Sequence, residues 1–314
     1  MIHQRWLICC LLVVLHPGII YSLTRDREFV LSAPHFASKA TDEYVEFVRG
    51  DFPLVITAPH GGYLFPVSFP DRRKSPQNRL LGDIHTQEIA RELVEHLSSL
   101  GRRPYLIICH LSRKKVDVNR EPGSQAYDNL KAARVYNEYH EKVLLACKEV
   151  QELFGRGLYL DIHGQRHPEN WIELGYLLGK DQLQLPDDRL NMYGGSFSLS
   201  RLLNNSLHFQ IADLLRHNNS FGGLLGSLGY KTVPSPQYPS PNNGSYYRGG
   251  YSTDRYWRIG GLDTIQVELP ASIRFHSGNR VQFVKDFAQA TLVFGGKWYG
   301  WPSMLGNKAK HLLW

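Results

Sequence analysis

Four cysteines are few for a chain of 314 residues, and two of them, Cys9 and Cys10, sit close to the N-terminus. The remaining pair, Cys109 and Cys147, lacks the close spacing of a metal knuckle and is too sparse for a disulfide-stapled scaffold. One disulfide and a free buried pair both stay open, because Cys109 ends an apolar strand-like run and Cys147 lies on a helical face. No Gly-x-Ser-x-Gly elbow occurs, which removes the corresponding serine nucleophile. No phosphate-cradling loop of the Walker type occurs either. Lys and Arg outnumber Asp and Glu 36 to 29, for a formal charge of +7, yet they form no long block. Nucleic acid is therefore not an expected partner. Past the N-terminus, no apolar run approaches the roughly 20 residues that cross a bilayer as a helix.

The N-terminal segment does carry a short apolar run. Arg5 is followed by Trp6 to Leu15, then by the turn-prone Pro17-Gly18 and the small Ser22. This order reads as a secretory leader over 1–22, followed by one α/β domain over 23–298 and a C-terminal tail over 299–314. Three glycan acceptor triplets begin at Asn204, Asn218 and Asn243 in a polar, Gly- and Pro-rich region, which fits a secreted, extracellular glycoprotein. Hydrophobic residues make up 42% and charged residues 21%, as in ordinary folded proteins.

From residue 50 onward, short apolar runs alternate with helical patterns, which predicts an α/β fold: a mixed, mostly parallel sheet flanked by helices. Expected strands are Leu54–Ala58, Tyr105–Cys109, Leu158–Ile162, Ile172–Leu178 and Thr264–Glu268. Expected helices are Asp83–Leu100, with Asp83 as N-cap and Ile84 on the buried face, then Asn129–Phe154, His208–Arg216 and Gly278–Leu292. Residues 218–262 show little periodicity but hold six tyrosines, so they read as an ordered loop region packed near a functional site.

Two histidines stand where strands end: His60 in Ala-Pro-His-Gly-Gly and His163 in Leu-Asp-Ile-His-Gly. Functional groups of open α/β sheets gather at the carboxyl ends of strands, so both imidazoles can share one crevice. Paired histidines in the same His-Gly context suggest metal, and a hydrolytic zinc needs three protein ligands with one position left open. Asp83 is the first choice for the third donor, with helix capping as its alternative role and His85 and Glu88 as rivals. Asp161, two residues before His163 on the same strand face, is suited to orient a ligand from behind. Glu268 ends an otherwise apolar strand and fits a general base. Asn119 and Arg120 follow the basic stretch 113–115, and the planar arginine fork matches a substrate carboxylate. Arg274 is a second positive group that could polarise a carbonyl.

Taken in order, Ile-Thr-Ala-Pro-His60-Gly-Gly, Lys-Val-Asp-Val-Asn119-Arg120, Leu-Asp-Ile-His163-Gly and Gln-Val-Glu268-Leu-Pro resemble the N-formylglutamate amidohydrolase family, related to zinc carboxypeptidases and aspartoacylase-like enzymes. The resemblance spans about residues 50 to 295. It implies a phosphorylase/hydrolase-like, zinc exopeptidase-type fold with one Zn2+ per chain on His60 and His163. It also places Glu268 as the catalytic glutamate and Asn119-Arg120 as a carboxylate-binding pair. Carboxypeptidases carry a glutamate ligand three residues after the first histidine; here that position is Tyr63. The expected function is a secreted zinc hydrolase of an amide bond in a small carboxylate-bearing substrate, an N-acyl amino acid or a peptide C-terminus. A secreted binding protein that keeps the fold without catalysis is the alternative.

Overall fold

The structure, a computed structural model, describes residues 44–302 except 124, 194–196 and 205–208. The expected leader 1–22 and the segment 303–314 of the tail lie outside the described residues.

Seven strands form one sheet: β1 (Val45–Val48), β2 (Leu54–Ala58), β3 (Tyr105–Cys109), β4 (Leu158–Gly164), β5 (Ile172–Gly175), β6 (Thr232–Val233) and β7 (Asp263–Leu269). Their order across the sheet is β1-β3-β2-β4-β7-β5-β6. The four central strands β3, β2, β4 and β7 run parallel. β1 pairs antiparallel with β3, and β5 antiparallel with β7, so the sheet is mixed and mostly parallel as expected. The β5 strand stops at Gly175, three residues short of the predicted Leu178.

The period of two sorts the strand residues. Leu54, Ile56, Leu158, Leu160, Ile162, Ile265 and Val267 turn to one face. There they pack against α1 (Thr86–Ser99) through Ile89, Leu93 and Leu97, and against the C-terminal helix through Phe283 and Phe287. The other face meets α2 (Leu130–Phe154), whose Val135, Tyr139, Val143 and Cys147 pack on Val55, Ile107 and Tyr159. Asn129 caps α2, its side chain accepting from the Ala132 N–H at 3.0 Å. Cys109 and Cys147 are both free and buried, and burial pushes each thiol up to about 12.

The chain from 180 to 258 is more helical than its sequence pattern predicts. It contains α3 (Lys180–Leu183), α4 (Asp187–Leu190), α5 (Ser200–Asn204), α6 (Ile211–Arg216), α7 (Phe221–Ser227) and α8 (Tyr251–Arg258). Two of these, α7 and α8, lie inside the expected loop region. α9 (Ala271–Arg274) follows β7, and α10 (Ser277–Tyr299) runs seven residues beyond the predicted end at Leu292. Trp301 then folds back on Phe52 with ring centroids 4.7 Å apart, so the first residues of the supposed tail belong to the core. Among the described residues, no helix is long and apolar enough to cross a membrane.

Candidate metal centre

His60 follows β2, His163 lies near the end of β4, and Glu268 sits beside His163 in register on β7. All three therefore reach the carboxyl edge of the parallel strands, where the backbone turns away and leaves room. The turn after His60 is tight: a Cβ on Gly62 would stand 2.4 Å from the His110 carbonyl carbon, so only glycine fits. Asp83 is tied to the same turn by its N–H, which donates to the His60 carbonyl at 2.9 Å.

The expected cap at Asp83 is a misreading. Helix α1 begins at Thr86, with His85 as N-cap in the left-handed region at φ 70° and no side-chain capping bond. The Asp83 carbonyl accepts from the Thr86 hydroxyl at 2.8 Å, which frees the carboxylate to turn inward. Ile84 is exposed at this turn rather than buried. The rivals turn elsewhere, His85 facing Glu88 at 3.6 Å and packing on the Phe275 ring.

Donor atoms of His60, Asp83 and His163 all lie within 4.8 Å of one another, and all three side chains are buried. Nδ1 of His60 and Nδ1 of His163 face the same Asp83 oxygen, at 3.3 and 3.1 Å. Behind each ring stands a fully buried carboxylate: Asp117 lies 2.7 Å from Nε2 of His60, and Asp161 2.9 Å from Nε2 of His163. With each Nε2–H donated backward and Nδ1 free of its proton, as a bound cation requires, both rings would present an Nδ1 lone pair toward the Asp83 oxygen. Three potential ligand atoms converging on one point make a candidate cation site, and carboxylate-backed histidines are how proteins fix zinc ligands. The donor set thus fits zinc.

The titration behaviour has the same origin. Burial opposes the charge on Asp83, but hydrogen bonds from His163 and His60 outweigh it and hold the carboxyl well below its usual range. Burial likewise opposes protonation of His163, yet Asp161, Asp83 and Glu268 hold its pKa well above the ordinary value. Asp117 is held low against burial by His60 and Arg113. Glu268 goes the other way: burial, then the nearby charges of Asp83 and Glu173, push it up to about 8 against the pull of His163 and Arg113. A carboxyl raised into this range is suited to take up and release a proton near neutral pH. Its Oε1 accepts from the Gln266 amide at 2.9 Å.

The remaining expected residues divide. The oxygen of the Asn119 amide is committed, Oδ1 accepting from the Ser252 N–H at 2.7 Å, and its Nδ2 packs 3.2 Å from His163 Nε2. It supports the ring and the start of α8. Arg120 keeps a guanidinium with 28% of its side chain exposed, lining an open cleft beside the cluster. Arg274 is buried and donates to the carbonyls of Leu269, Ile84 and Gln165, so it clamps three loop ends rather than offering a free fork. Asn218 and Asn243 are exposed on the surface.

Four site residues escape the sequence reading. Asp117 backs His60, and its signal was present in the alternation of the buried Val116 and Val118 around it. Arg113 donates to Asp117 at 2.8 Å, lies 3.8 Å from Asp83 and is close enough to Glu268 to act on its charge. Glu173 stands directly across from Glu268 between the apolar Ile172 and Leu174, a charge inside a buried strand. It accepts from the Tyr247 N–H at 2.7 Å, and Tyr247 in turn feels the charges of Glu268, Glu173 and Asp83.

Fold and site together define an α/β protein with a buried His-Asp-His cluster at its strand ends. No family model matches the chain. No curated protein matches it either. Among solved structures it is similar to an N-formylglutamate amidohydrolase from Ralstonia eutropha JMP134, at 14% identity and a TM-score of 0.49, covering 82% of this chain and 99% of that one. It is also similar to a gene product of Agrobacterium tumefaciens, at 12% identity and TM-score 0.48, covering 82% and 95%. A third is a bacteriophage poly-gamma-glutamate hydrolase, at 15% identity and TM-score 0.38, covering 82% and 89%. Likeness at this level assigns neither substrate nor chemistry to the chain.

Proposed function

We propose that the chain is an exported, zinc-dependent hydrolase that cuts an amide bond in a small substrate bearing a carboxylate. The observation that carries this reading is the convergence of the His60, Asp83 and His163 donor atoms beside the buried carboxyl of Glu268. Zinc held by these donors would supply Lewis acidity, polarising the amide carbonyl and lowering the pKa of a water.

The chain's own groups do the rest. Glu268, with Oε1 held by Gln266, uses Oε2 to take one proton from the attacking water and returns it to the leaving amine. Water adds to the carbonyl carbon, the C–N bond breaks, and a carboxylic acid and an amine result. Arg113 is placed to stabilise negative charge on the tetrahedral oxygen, the part first given to Arg274. Arg120 offers its fork to the substrate's carboxylate. Asp117 and Asp161 keep both imidazoles in the tautomer that presents Nδ1.

Export rests on the N-terminal pattern of residues 1–22, with N-glycans at Asn204, Asn218 and Asn243. N-terminal sequencing of protein recovered from culture medium, with and without glycosidase, checks both. The catalytic reading is tested by metal analysis joined to a panel of N-acyl amino acids and short peptides. About one zinc per chain and turnover of at least one of these amides are expected. A folded protein that takes up no zinc refutes it.

A further inference from the structure

We infer that the cleft beside the metal centre is an anion-recognition subsite for the distal carboxylate of an acidic, peptide-like substrate at least two residues long. This rests on the hydrolase reading above and narrows its substrate class. The cleft measures about 930 Å3 and does not contain the three cluster residues; Arg120, Leu177, Arg248, Gly250, Tyr251 and Trp257 are among its walls. Pockets that enclose whole drug-sized ligands span roughly 300–1,000 Å3, so a single N-acyl amino acid would leave most of this one empty.

The cleft abuts the reacting groups. A Cβ on Gly250 would stand 2.6 Å from Asn119 Nδ2 and 2.9 Å from Gln266 Oε1, the side chains that support His163 and Glu268. Only a glycine lets this wall come so near, so a chain anchored on Arg120 at one end of the site continues directly into the cleft.

Charge decides the kind of chain. Arg258 is neutralised by Asp254 at 2.9 Å and attracts little more. Arg248 is exposed and has no ion pair among the described residues. Arg120 donates through Nη1 to the Asn119 carbonyl at 3.3 Å and its Nε reaches only the edge of Asp117, at 4.0 Å, a carboxylate that already serves His60 and Arg113, so Nη2 is left for a ligand. Two guanidinium groups with donors to spare face one cleft, with Glu121 as the opposing acid. Each can take a carboxylate in a charge-assisted bidentate pair, while a neutral chain offers only uncharged carbonyl acceptors in exchange for the displaced water. Leu177, Tyr251 and Trp257 supply apolar surface for the methylene stems between the charges.

The test uses the full chain carrying Glu268→Gln, titrated calorimetrically with N-acetylglutamate, N-acetyl-glutamyl-glutamate and the neutral-tailed N-acetyl-glutamyl-glutamine amide. The acidic dipeptide is expected to bind about tenfold more tightly than the other two, and Arg248→Gln is expected to cancel that preference. Affinities within twofold of each other, or a preference that survives Arg248→Gln, overturn the subsite. Turnover of N-acyl amino acids by the unaltered protein is measured alongside. Turnover without the preference sinks the subsite alone, and the preference without any amide hydrolysis sinks the hydrolase reading alone.

Discussion

The two faces of the sheet are built from alternate residues of the same strands and behave as different materials. On one face Leu160 and Ile162 of β4 and Ile265 and Val267 of β7 are sealed under α1 and α10. On the other, Asp161 and His163 of β4 and Gln266 and Glu268 of β7 are equally buried but polar. Water is excluded from both. The first face gains stability from that exclusion, because apolar area leaves water. The second gains reactivity, because buried charges must be satisfied by one another or by an ion, and their pKa values move accordingly.

If this division holds, substitutions one residue apart on a strand should fail in different ways. The largest effect falls on His163→Ala, which removes one of three donors: bound zinc drops from about one per chain to background and amide hydrolysis is lost, as metal analysis and turnover assays would register. Glu268→Gln should keep the metal and lower kcat by roughly 10²–10⁴-fold. An unchanged kcat would remove Glu268 as the base. Leu160→Ala, on the opposite face, should lower unfolding free energy by about 2–5 kcal/mol while the folded protein binds metal as before, a separation that denaturant titration and metal competition measure together. Its neighbour Asp161→Asn should weaken metal affinity roughly 10–100-fold with little loss of folding stability. Should Leu160→Ala weaken metal and Asp161→Asn unfold the chain, the division of labour between faces is wrong.

The smallest expected effect concerns the one ionisable residue among the apolar-face strand positions described for β2, β4, β5 and β7. Burial pushes Asp263 up to about 7 from an ordinary 3.8, against hydrogen bonds from Tyr299 and the Arg201 N–H. A raised folded-state pKa means that stability is fully present below about pH 4, declines as pH rises toward 7 and then levels. Asp263→Asn should flatten that decline in thermal unfolding measured between pH 4 and 8.

Much of the architecture was legible. The strands β2 and β3 are short apolar runs with β-branched residues, and β4 and β7 set an apolar residue at every second position, so their positions follow from pattern alone. The edge strand β1 was missed because Val45–Val48 is four residues long and only partly buried, leaving little hydrophobic signal. Helix α7 was missed because Gly222, Gly223 and Gly226 disfavour helix, and packing against α10 overrides them. Within the site, His60, His163 and Glu268 announced themselves as polar residues ending apolar runs. Asp117 and Arg113 did not, since an Asp or Arg in a loop after a strand has many roles and only its neighbours in space select one.

Sequence by itself determined the strand alternation and the identity of the donor groups, because side-chain direction along a strand repeats every two residues whatever the surroundings. Tertiary structure alone decided which carboxylate joins the two histidines. Asp83, His85 and Glu88 lie within six residues of one another, and the left-handed turn at His85 sends Asp83 inward and the other two out. Local pattern cannot register that choice, since it depends on where a loop returning from His60 meets a strand 80 residues further along the chain.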